Sequence, residues 1–249
     1  MERNLVYFVS DVHLGLVTKD PREREDRFLS WLKSIPRERT SALYLLGDIW
    51  DFWYEYRDVV PREGARVVAQ LVDLMDKGVE VFFFEGNHDI WTFSFFEELG
   101  MKKCFQPFFT EIGGKSFCIG HGDGLGDTRL GYRLMLKLFH NKFAQALFNT
   151  IHPWLAYRFG LSWSNSNRRT HEPYTFKGES EPLYKYAVGL EENRHSDFYI
   201  FGHYHDSACL TLPSGSRFFL VKDWMDGGCP CLVFDKASGE LCCSGVQSE

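Results

Sequence analysis

Short apolar runs recur along the chain, and each ends in polar side chains. Five such runs lead into Asp11, Asp48, Asn87, His121 and His203. The runs are rich in β-branched and aromatic residues, which predicts buried β-strands. Stretches with helical spacing at residues 21–35 and 62–77 separate the first three runs. This alternation predicts an α/β fold with parallel strands.

The polar strand ends predict a ligand site, because ligands bind beyond the carboxyl ends of parallel strands. Taken singly, each ending is also typical of a turn, since Asn, Asp and Gly favour turns. Together they supply carboxylate, amide and imidazole groups, which bind divalent cations. The candidate metal ligands are Asp11, His13, Asp48, Asn87, His121, His203 and His205. Seven groups are too many for one metal ion and suit two ions that share a bridging carboxylate.

The composition is that of a globular chain able to bury a large core. The 249 residues are 44% hydrophobic and carry a formal net charge of −6. No apolar run reaches the roughly 18 residues of a membrane span, and the strand pattern at the start leaves no room for a secretory signal. The seven cysteines are an odd number, which disfavours a disulfide framework and favours a reducing cytoplasm. We predict a single domain over residues 1–249.

Residues 125–178 form a predicted insertion that is basic, amphipathic and rich in aromatic residues. Basic side chains recur at helical spacing from Arg129 to Lys137, beside an apolar stripe, and Pro153 is expected to break or restart the helix. Residues 128–177 hold eight basic side chains and one acidic one. This composition suits an anionic substrate with an apolar tail, or an anionic membrane surface. The alternative is a helical cap that only packs on the core.

The ordered motifs resemble those of the calcineurin-like metallophosphoesterase superfamily, and the match covers residues 5–205. The family pattern is matched by D-V-H (11–13), G-D-I-W-D (47–51), G-N-H-D (86–89), H-G-D (121–123) and G-H-Y-H (202–205). The resemblance implies a four-layer αββα sandwich with a helical insertion as a lid. It would place the apolar runs at 217–222, 231–235 and 240–244 in the second sheet.

The resemblance also implies a role for each motif residue. One metal ion would take Asp11, His13, Asp48 and His205, and the other Asp48, Asn87, His121 and His203, with Asp48 bridging. Two such cations lower the pKa of a bridging water and bind the phosphoryl oxygens. His88 would be the catalytic group that stabilises developing charge, oriented by Asp51. Asp89 is expected to hold the loop in shape.

A narrower resemblance is to the UDP-2,3-diacylglucosamine pyrophosphatases of the lipid A pathway in Gram-negative bacteria. It rests on the chain length, the G-D-I-W-D-F-W block, the H-G-D-G-L-G-D start of the insertion and the basic helical lid. Members release UMP and the diacylglucosamine 1-phosphate called lipid X. They are typically manganese enzymes bound peripherally at the cytoplasmic face of the inner membrane. The resemblance therefore implies two divalent ions, with Mn²⁺ expected, and a lipid-linked nucleotide as substrate.

The insertion would supply the substrate contacts. Residues expected to meet the sugar and the uridine phosphates are Asp127, Tyr132, Asn165, Arg168 and Arg169. Residues expected to line a groove for the acyl chains are Phe139, Phe143, Leu147, Trp154 and Phe159. Both sets are expected to contact substrate because the residues have suitable side chains and lie in the insertion.

One departure keeps a second hypothesis open, because members of the narrower family commonly carry Arg where this chain has His88. A phosphate leaving group departs without a proton, so a fixed charge suffices, whereas an alkoxide needs a proton donor, which suits His. The alternative is a metal-dependent phosphomonoesterase or phosphodiesterase acting on another nucleotide, sugar or lipid phosphate. Nucleic acid is disfavoured as a substrate by the acidic charge outside the insertion. A non-catalytic scaffold would be expected to lack some motif residues, and all are present.

Overall fold

A computed structural model describes residues 2–18, 20–127, 129–170 and 175–244, with side chains described outside 166–170. In chain order the strands are β1 (Leu5–Val9), β2 (Thr40–Leu45), β3 (Glu80–Phe84), β4 (Lys102–Cys104), β5 (Phe108–Ile112), β6 (Lys115–Ile119), β7 (Phe198–Phe201), β8 (Ala208–Thr211), β9 (Arg217–Leu220), β10 (Cys231–Asp235) and β11 (Glu240–Ser244). The α-helices are α1 (Pro21–Ser34), α2 (Ala65–Asp76), α3 (Phe95–Glu98), α4 (Leu130–Phe139), α5 (Lys142–Phe148), α6 (Pro153–Thr170) and α7 (Pro182–Glu191), and a 3-10 helix spans Gly178–Ser180.

The strands form two sheets whose central strands are parallel. The first sheet has the order β11-β10-β1-β2-β3-β4, and the second has the order β5-β6-β7-β9-β8. Strands β1 to β4 run parallel in the first sheet, as do β6, β7 and β9 in the second. Parallel pairing brings the carboxyl ends of neighbouring strands to the same edge of a sheet, which is where the predicted ligands follow.

The prediction that the last three apolar runs share the second sheet was wrong for two of them. Only β9 lies in the second sheet, whereas β10 and β11 form an antiparallel hairpin in the first. Strand β10 pairs with β1, with Leu5 opposite Asp235. This hairpin supplies hydrogen-bond partners to the outer side of β1, which would otherwise be an exposed edge. Its apolar residues Leu232, Phe234 and Leu241 then face the second sheet.

Three apolar layers hold the fold together and confirm the four-layer αββα sandwich. Between the sheets, Phe8 of β1 lies against Phe117 of β6, with ring centroids 6.0 Å apart. On the outer face of the first sheet, α1 and α2 bury residues such as Phe28 and Leu71. On the outer face of the second sheet, α7 buries Leu183 and neighbouring residues. The layers are therefore helices, sheet, sheet and helix.

Helix α1 shows how local sequence sets these elements. Asp20 precedes it, and the Asp20 side chain accepts a hydrogen bond from the backbone N–H of Glu23 at 3.2 Å. Pro21 occupies the first turn, where its missing N–H is tolerated. Phe28 and Leu32 then lie one turn apart on the buried face. The helices predicted near 21–35 and 62–77 are thus present as α1 and α2.

Helices α4, α5 and α6 form the lid, which falls within the predicted insertion. Pro153 is the first residue of α6, as expected of a proline that restarts a helix. Main-chain carbonyls of the lid accept hydrogen bonds from the body of the protein: Tyr54 Oη donates to the Gln145 carbonyl at 2.9 Å, and Trp91 Nε1 donates to the Phe139 carbonyl at 3.0 Å. In the part of the chain that the structure describes, no helix is long and apolar enough to cross a membrane. The insertion boundaries stay a prediction.

The seven cysteines are all free thiols. Cys231 is buried, as its position in a strand suggests, but Cys242 and Cys243 are exposed on β11. Among the described residues, the groups able to hold a metal ion contain no cysteine. The cysteines are only partly buried.

Candidate metal centre

The loops after β1, β2, β3, β6 and β7 meet at one edge of the sandwich, and hydrogen bonds join them. Within the first sheet, the Asp11 N–H donates to the Gly47 carbonyl at 3.1 Å. Between the sheets, the His203 N–H donates to Asp11 Oδ2 at 3.0 Å. The Gly202 N–H donates to the His121 carbonyl at 2.8 Å within the second sheet. The structure thus brings all five motifs together, and with them the seven predicted ligands.

Five of those seven residues have a left-handed backbone conformation. Their φ angles are 55° for Asp11, 51° for His13, 53° for Asp48, 72° for His203 and 57° for His205. Residues other than glycine rarely adopt positive φ, which costs on the order of 1–3 kcal/mol at each position. Such conformations persist only where the surroundings impose them, and they concentrate at functional sites. The backbone is therefore strained in the residues whose side chains converge.

One group of potential ligands surrounds Asp11 Oδ1. His13 Nε2 lies 3.6 Å from this oxygen, and His205 Nε2 lies 3.7 Å from it. Asp11 Oδ1 is buried and accepts no hydrogen bond from the described residues. Ligand atoms that share one ion at bond lengths of about 2.1 Å lie about 3.0–3.5 Å apart. The two distances are slightly longer than this range, so a small approach of the side chains would let them share one cation, and the unsatisfied buried oxygen supports such a cation.

A second group surrounds Asp48, which also reaches the first. Asp48 Oδ2 lies 3.5 Å from His121 Nε2 and 3.9 Å from His13 Nε2. His121 Nε2 lies 3.3 Å from Asn87 Oδ1, and the ring centroids of His121 and His203 are 5.1 Å apart. One carboxylate oxygen thus stands between the two groups, as a shared ligand must.

The buried charges give this site an electrostatic preference for cations. Burial opposes ionisation of Asp48, but the nearby imidazoles of His121 and His88 hold its pKa well below the usual range. Burial also opposes ionisation of Asp11, whose pKa is lowered by the neighbouring His13 and His205. Burial and the charge of His121 lower the pKa of His203 to about 3, so this imidazole is neutral and able to coordinate a metal. Burial opposes protonation of His121, but the Asp48 carboxylate holds its pKa well above the usual range, so a bound cation would displace this proton. The two ionised carboxylates and the neutral imidazoles would then form a suitable donor set.

Three of the histidines are oriented through their other ring nitrogen. His13 Nδ1 lies 3.2 Å from Asp51 Oδ1, and His121 Nδ1 lies 2.8 Å from the Leu46 carbonyl. His205 Nδ1 lies 2.9 Å from Asp223 Oδ2. Such partners fix the ring and its tautomer, so that Nε2 points into the site.

Sequence analysis missed Asp223, although a signal was present. The run at 218–221 is apolar and is followed at once by polar residues that include Asp223. This is the same pattern of a strand ending in a carboxylate that identified the other loops. Sequence analysis also missed Arg24, a buried residue of α1 that donates to the His13 carbonyl at 3.0 Å. Its signal is an arginine on the apolar face of a predicted helix.

His88 and Asp51 lie beside the metal ligands, in an arrangement that differs in detail from the expected one. His88 Nδ1 lies 3.0 Å from the main-chain oxygen of Asp51 and 3.8 Å from its carboxylate. The Asp51 carboxylate is closer to His13 than to His88. Asp51 therefore contacts His88 through its carbonyl and His13 through its side chain.

Asp89 holds two of the loops together, as expected from its place in the motif. Its carboxylate accepts hydrogen bonds from the backbone N–H groups of Asp48, Ile49, Trp50 and Gly86, at 2.7–3.2 Å. The Asp89 side chain is completely buried. Its role is to shape the loops that carry Asp48 and Asn87.

The predicted substrate contacts are only partly described. Asp127 is bound by Arg129, with Oδ2 and Nη2 2.6 Å apart. The Tyr132 hydroxyl is buried and has no hydrogen-bond partner among the described residues. Asn165 Nδ2 donates to the Leu161 carbonyl at 2.8 Å within α6. The side chains of Arg168 and Arg169 lie outside the described residues.

An apolar cavity lies between the lid and the body. It measures about 190 Å³ and is lined by residues that include Phe52, Tyr54, Trp91, Phe139, Phe148, Phe159 and Trp163. A neighbouring cavity of about 90 Å³ shares Phe52, Trp91, Phe139, Gly160 and Trp163 with it, and is also lined by Asp51, Asn87 and His88. The small cavity beside the candidate metal ligands and the larger apolar cavity are therefore neighbours that have these lining residues in common.

Only part of the predicted acyl-chain groove belongs to this cavity. Phe139 and Phe159 line it. Phe143, Leu147 and Trp154 do not line it and are 80%, 64% and 58% exposed. Phe159 is 60% exposed as well and so borders both the cavity and solvent. We call the exposed surface that carries Phe143, Leu147 and Trp154 the outer surface of the lid.

Comparison with known proteins identifies the class to which this fold and site belong. The model of the calcineurin-like phosphoesterase family matches residues 5–207, and the chain belongs to that family. The UDP-2,3-diacylglucosamine hydrolase of Porphyromonas gingivalis is 36% identical over 241 residues, which cover 90% of this chain and 91% of that protein. The UDP-2,3-diacylglucosamine hydrolase of Shewanella piezotolerans is 26% identical over 224 residues, covering 89% and 90%. Both resemblances stated from the motifs are confirmed.

Among solved structures, a dimetal phosphatase from Danio rerio matches with a TM-score of 0.46 and 14% identity, covering 94% of this chain and 92% of that one.

We expect Gly86→Ala to weaken metal binding at least about tenfold, a loss of the size seen when the support of a ligand is removed. A Cβ at Gly86 would overlap with the Asp48 carboxylate and backbone. Gly189→Ala is the matched control, because a Cβ there meets no described atom within 4 Å. Bound metal would be measured by elemental analysis after equilibration with limiting Mn²⁺. Equal metal content in the two variants would contradict the placement of Asp48.

Proposed function

We propose that this protein is a dimetal hydrolase that cleaves the pyrophosphate of UDP-2,3-diacylglucosamine, releasing UMP and lipid X. The observation that carries the proposal is the apolar cavity, which shares walls with the space beside His88 and Asn87. A substrate with a charged phosphate and an apolar chain can occupy both at once. The relatives named UDP-2,3-diacylglucosamine hydrolase support the same substrate.

The ligand groups support a two-metal assignment. One ion would be held by Asp11, His13, Asp48 and His205, and the other by Asp48, Asn87, His121 and His203. When bound, two divalent cations supply a water of lowered pKa and a positive field for the phosphoryl oxygens. Carboxylate, amide and imidazole donors together suit Mn²⁺ or Fe²⁺ better than Mg²⁺, and we propose Mn²⁺.

His88 would stabilise the charge that develops on the substrate. The Asp51 carbonyl is an acceptor, so His88 Nδ1 carries a proton and donates to it. The ring is thereby held at the wall of the small cavity that also includes Asn87. In the imidazolium form the opposite nitrogen, Nε2, is a donor as well, and it would interact with a phosphoryl or leaving oxygen without needing to reorganise during the reaction.

The lid would bind the rest of the substrate. An acyl chain in the apolar cavity would contact Phe148 and Trp163, and burial of apolar surface at about 25 cal/mol per Å² would hold it there. Asp127, Tyr132, Asn165, Arg168 and Arg169 would meet the sugar and the uridine phosphates. The buried Tyr132 hydroxyl supports this, since a substrate oxygen would satisfy it.

The outer surface of the lid would rest on the cytoplasmic face of the inner membrane. Phe143 and Trp154 are exposed there, and the Arg158 guanidinium lies 4.9 Å from the centre of the Trp154 ring. Exposed aromatic residues among basic ones bind an anionic lipid surface. The protein would then be a peripheral cytoplasmic enzyme that reaches its lipid substrate at the membrane.

His88 favours one alternative, a phosphomonoesterase or phosphodiesterase that acts on another nucleotide, sugar or lipid phosphate. The deciding experiment measures UMP release from UDP-2,3-diacylglucosamine with Mn²⁺ and mild detergent, beside hydrolysis of a small aryl phosphodiester. We expect selective UMP release, because only the lipid substrate fills the apolar cavity. Hydrolysis of the ester without UMP release would discard the lipid substrate and retain the metal chemistry.

Substitutions at His88 test its part in the reaction. We expect His88→Ala to lower kcat about 10²–10⁴-fold while the protein still binds two metal ions. His88→Arg should restore much of the UMP release, because a phosphate leaves without a proton and a fixed positive charge suffices. The same variant should not restore hydrolysis of an alkyl phosphodiester. Loss of metal from His88→Ala would show instead that His88 is a ligand.

Substitutions of two tryptophans of α6 test the cavity and the outer surface of the lid separately. Trp163 lines the cavity, whereas Trp154 lies on the outside. We expect Trp163→Ala to lower kcat/KM for UDP-2,3-diacylglucosamine about 10–100-fold in detergent, because apolar contact with the acyl chain is lost. Hydrolysis of the aryl phosphodiester should fall less, because it would meet Trp163 only in the small cavity beside His88. Trp154→Ala is the control, and equal losses in the two variants would remove the cavity from substrate binding.

A further inference from the structure

The two halves of the candidate metal centre differ in what lies behind their imidazoles. In the half around Asp11, the Nδ1 atoms of His13 and His205 face carboxylates, at 3.2 Å from Asp51 and 2.9 Å from Asp223. In the other half, His121 Nδ1 faces the neutral Leu46 carbonyl at 2.8 Å. All three contacts orient the ring, but only the first two place a negative charge behind it.

Asp223 is held firmly enough to act on His205. Its side chain is 3% exposed, and its second oxygen accepts a hydrogen bond from the Met225 N–H at 2.9 Å. The next residue, Trp224, donates its N–H to the Asp11 carbonyl at 3.1 Å, and its own carbonyl accepts from Arg27 at 2.6 Å. These bonds fix the position of Asp223 relative to Asp11 and His205.

A carboxylate behind a metal-binding histidine strengthens the metal bond. It accepts the Nδ1 proton, which fixes the tautomer with the Nε2 lone pair toward the metal, and it raises the basicity of the ring. A carbonyl fixes the same tautomer but adds no full charge. The position bounded by Asp11, His13 and His205 therefore has the more strongly donating imidazoles.

We propose that Asp223 is a positioning residue that makes the Asp11–His13–His205 position the tighter of two metal positions. The metal centre then fills in a fixed order, with this position first and the Asn87–His121–His203 position second. The inference rests on the proposed dimetal function and adds that the two metal positions differ in affinity. The Asp51 carboxylate, which lies 3.2 Å from His13 Nδ1, would strengthen metal binding at this position in the same way.

The test is Asp223→Asn, which keeps an oxygen acceptor for His205 Nδ1 and removes only the charge. It gives His205 the same kind of neutral partner that Leu46 gives His121. Wild-type protein equilibrated at buffered free Mn²⁺ concentrations should bind metal in two separate steps of one equivalent each. In Asp223→Asn the tighter step should weaken about 10–100-fold, so that the two steps merge.

Asp206→Asn is the matched control. Asp206 adjoins His205 in sequence, but its carboxylate accepts backbone N–H groups from Phe176 and Ser207. The control should keep two separate steps, and Asp223→Glu should recover part of the separation because it restores the charge. Thermal unfolding of the metal-free proteins shows whether a variant has lost its fold instead.

The outcomes distinguish this inference from the function on which it rests. An unchanged two-step curve in folded Asp223→Asn would overturn the inference, as would a single merged step in the wild-type protein. In both cases two bound ions would still support the dimetal centre. Binding of fewer than two ions by the wild-type protein would overturn the dimetal proposal itself. Electron paramagnetic resonance at one equivalent of Mn²⁺ adds a readout, because wild-type protein should then hold single ions and few coupled pairs.

Discussion

The buried carboxylate of Asp89 is the interaction on which the arrangement of the site depends. It accepts hydrogen bonds from N–H groups of two loops, including those of Asp48 and Gly86. Burial and the nearby Asp48 charge raise its pKa, and the backbone N–H groups oppose that rise. Without Asp89, these N–H groups would be buried and unsatisfied, at about 1–3 kcal/mol each. Asp89 binds the backbone N–H of Asp48 itself and those of the next two residues, and this holds the strained conformation of Asp48 in place.

The site also depends on the spacing of the two sheets. Asp11 and Asp48 follow strands of the first sheet, whereas His121 and His205 follow strands of the second. A shift of one sheet against the other would separate them, and the aromatic layer that includes Phe8 opposes such a shift. The apolar core thus helps to maintain the distances among these polar groups.

The convergence of the candidate ligands was predictable because each is encoded locally, as a polar residue at the end of an apolar run. Partners distant in sequence were harder to predict. The apolar run at 231–235 identifies a strand but not the sheet that it joins, since pairing with β1 is a contact between residues distant in sequence. Asp223 shows the strand-end pattern but stands outside the family motifs. The exposure of Phe143 depends on how the lid docks, which its own amphipathic spacing does not determine.

The docking of the lid has a consequence for how this protein can change over evolutionary time. The body holds the lid by Tyr54 and Trp91, which donate to main-chain carbonyls at Gln145 and Phe139. A main-chain acceptor is retained whatever side chain the residue carries. Mutations of other lid residues can therefore reshape the apolar cavity without removing these two bonds. The shape of the cavity is thus free to diverge while the metal centre stays constant.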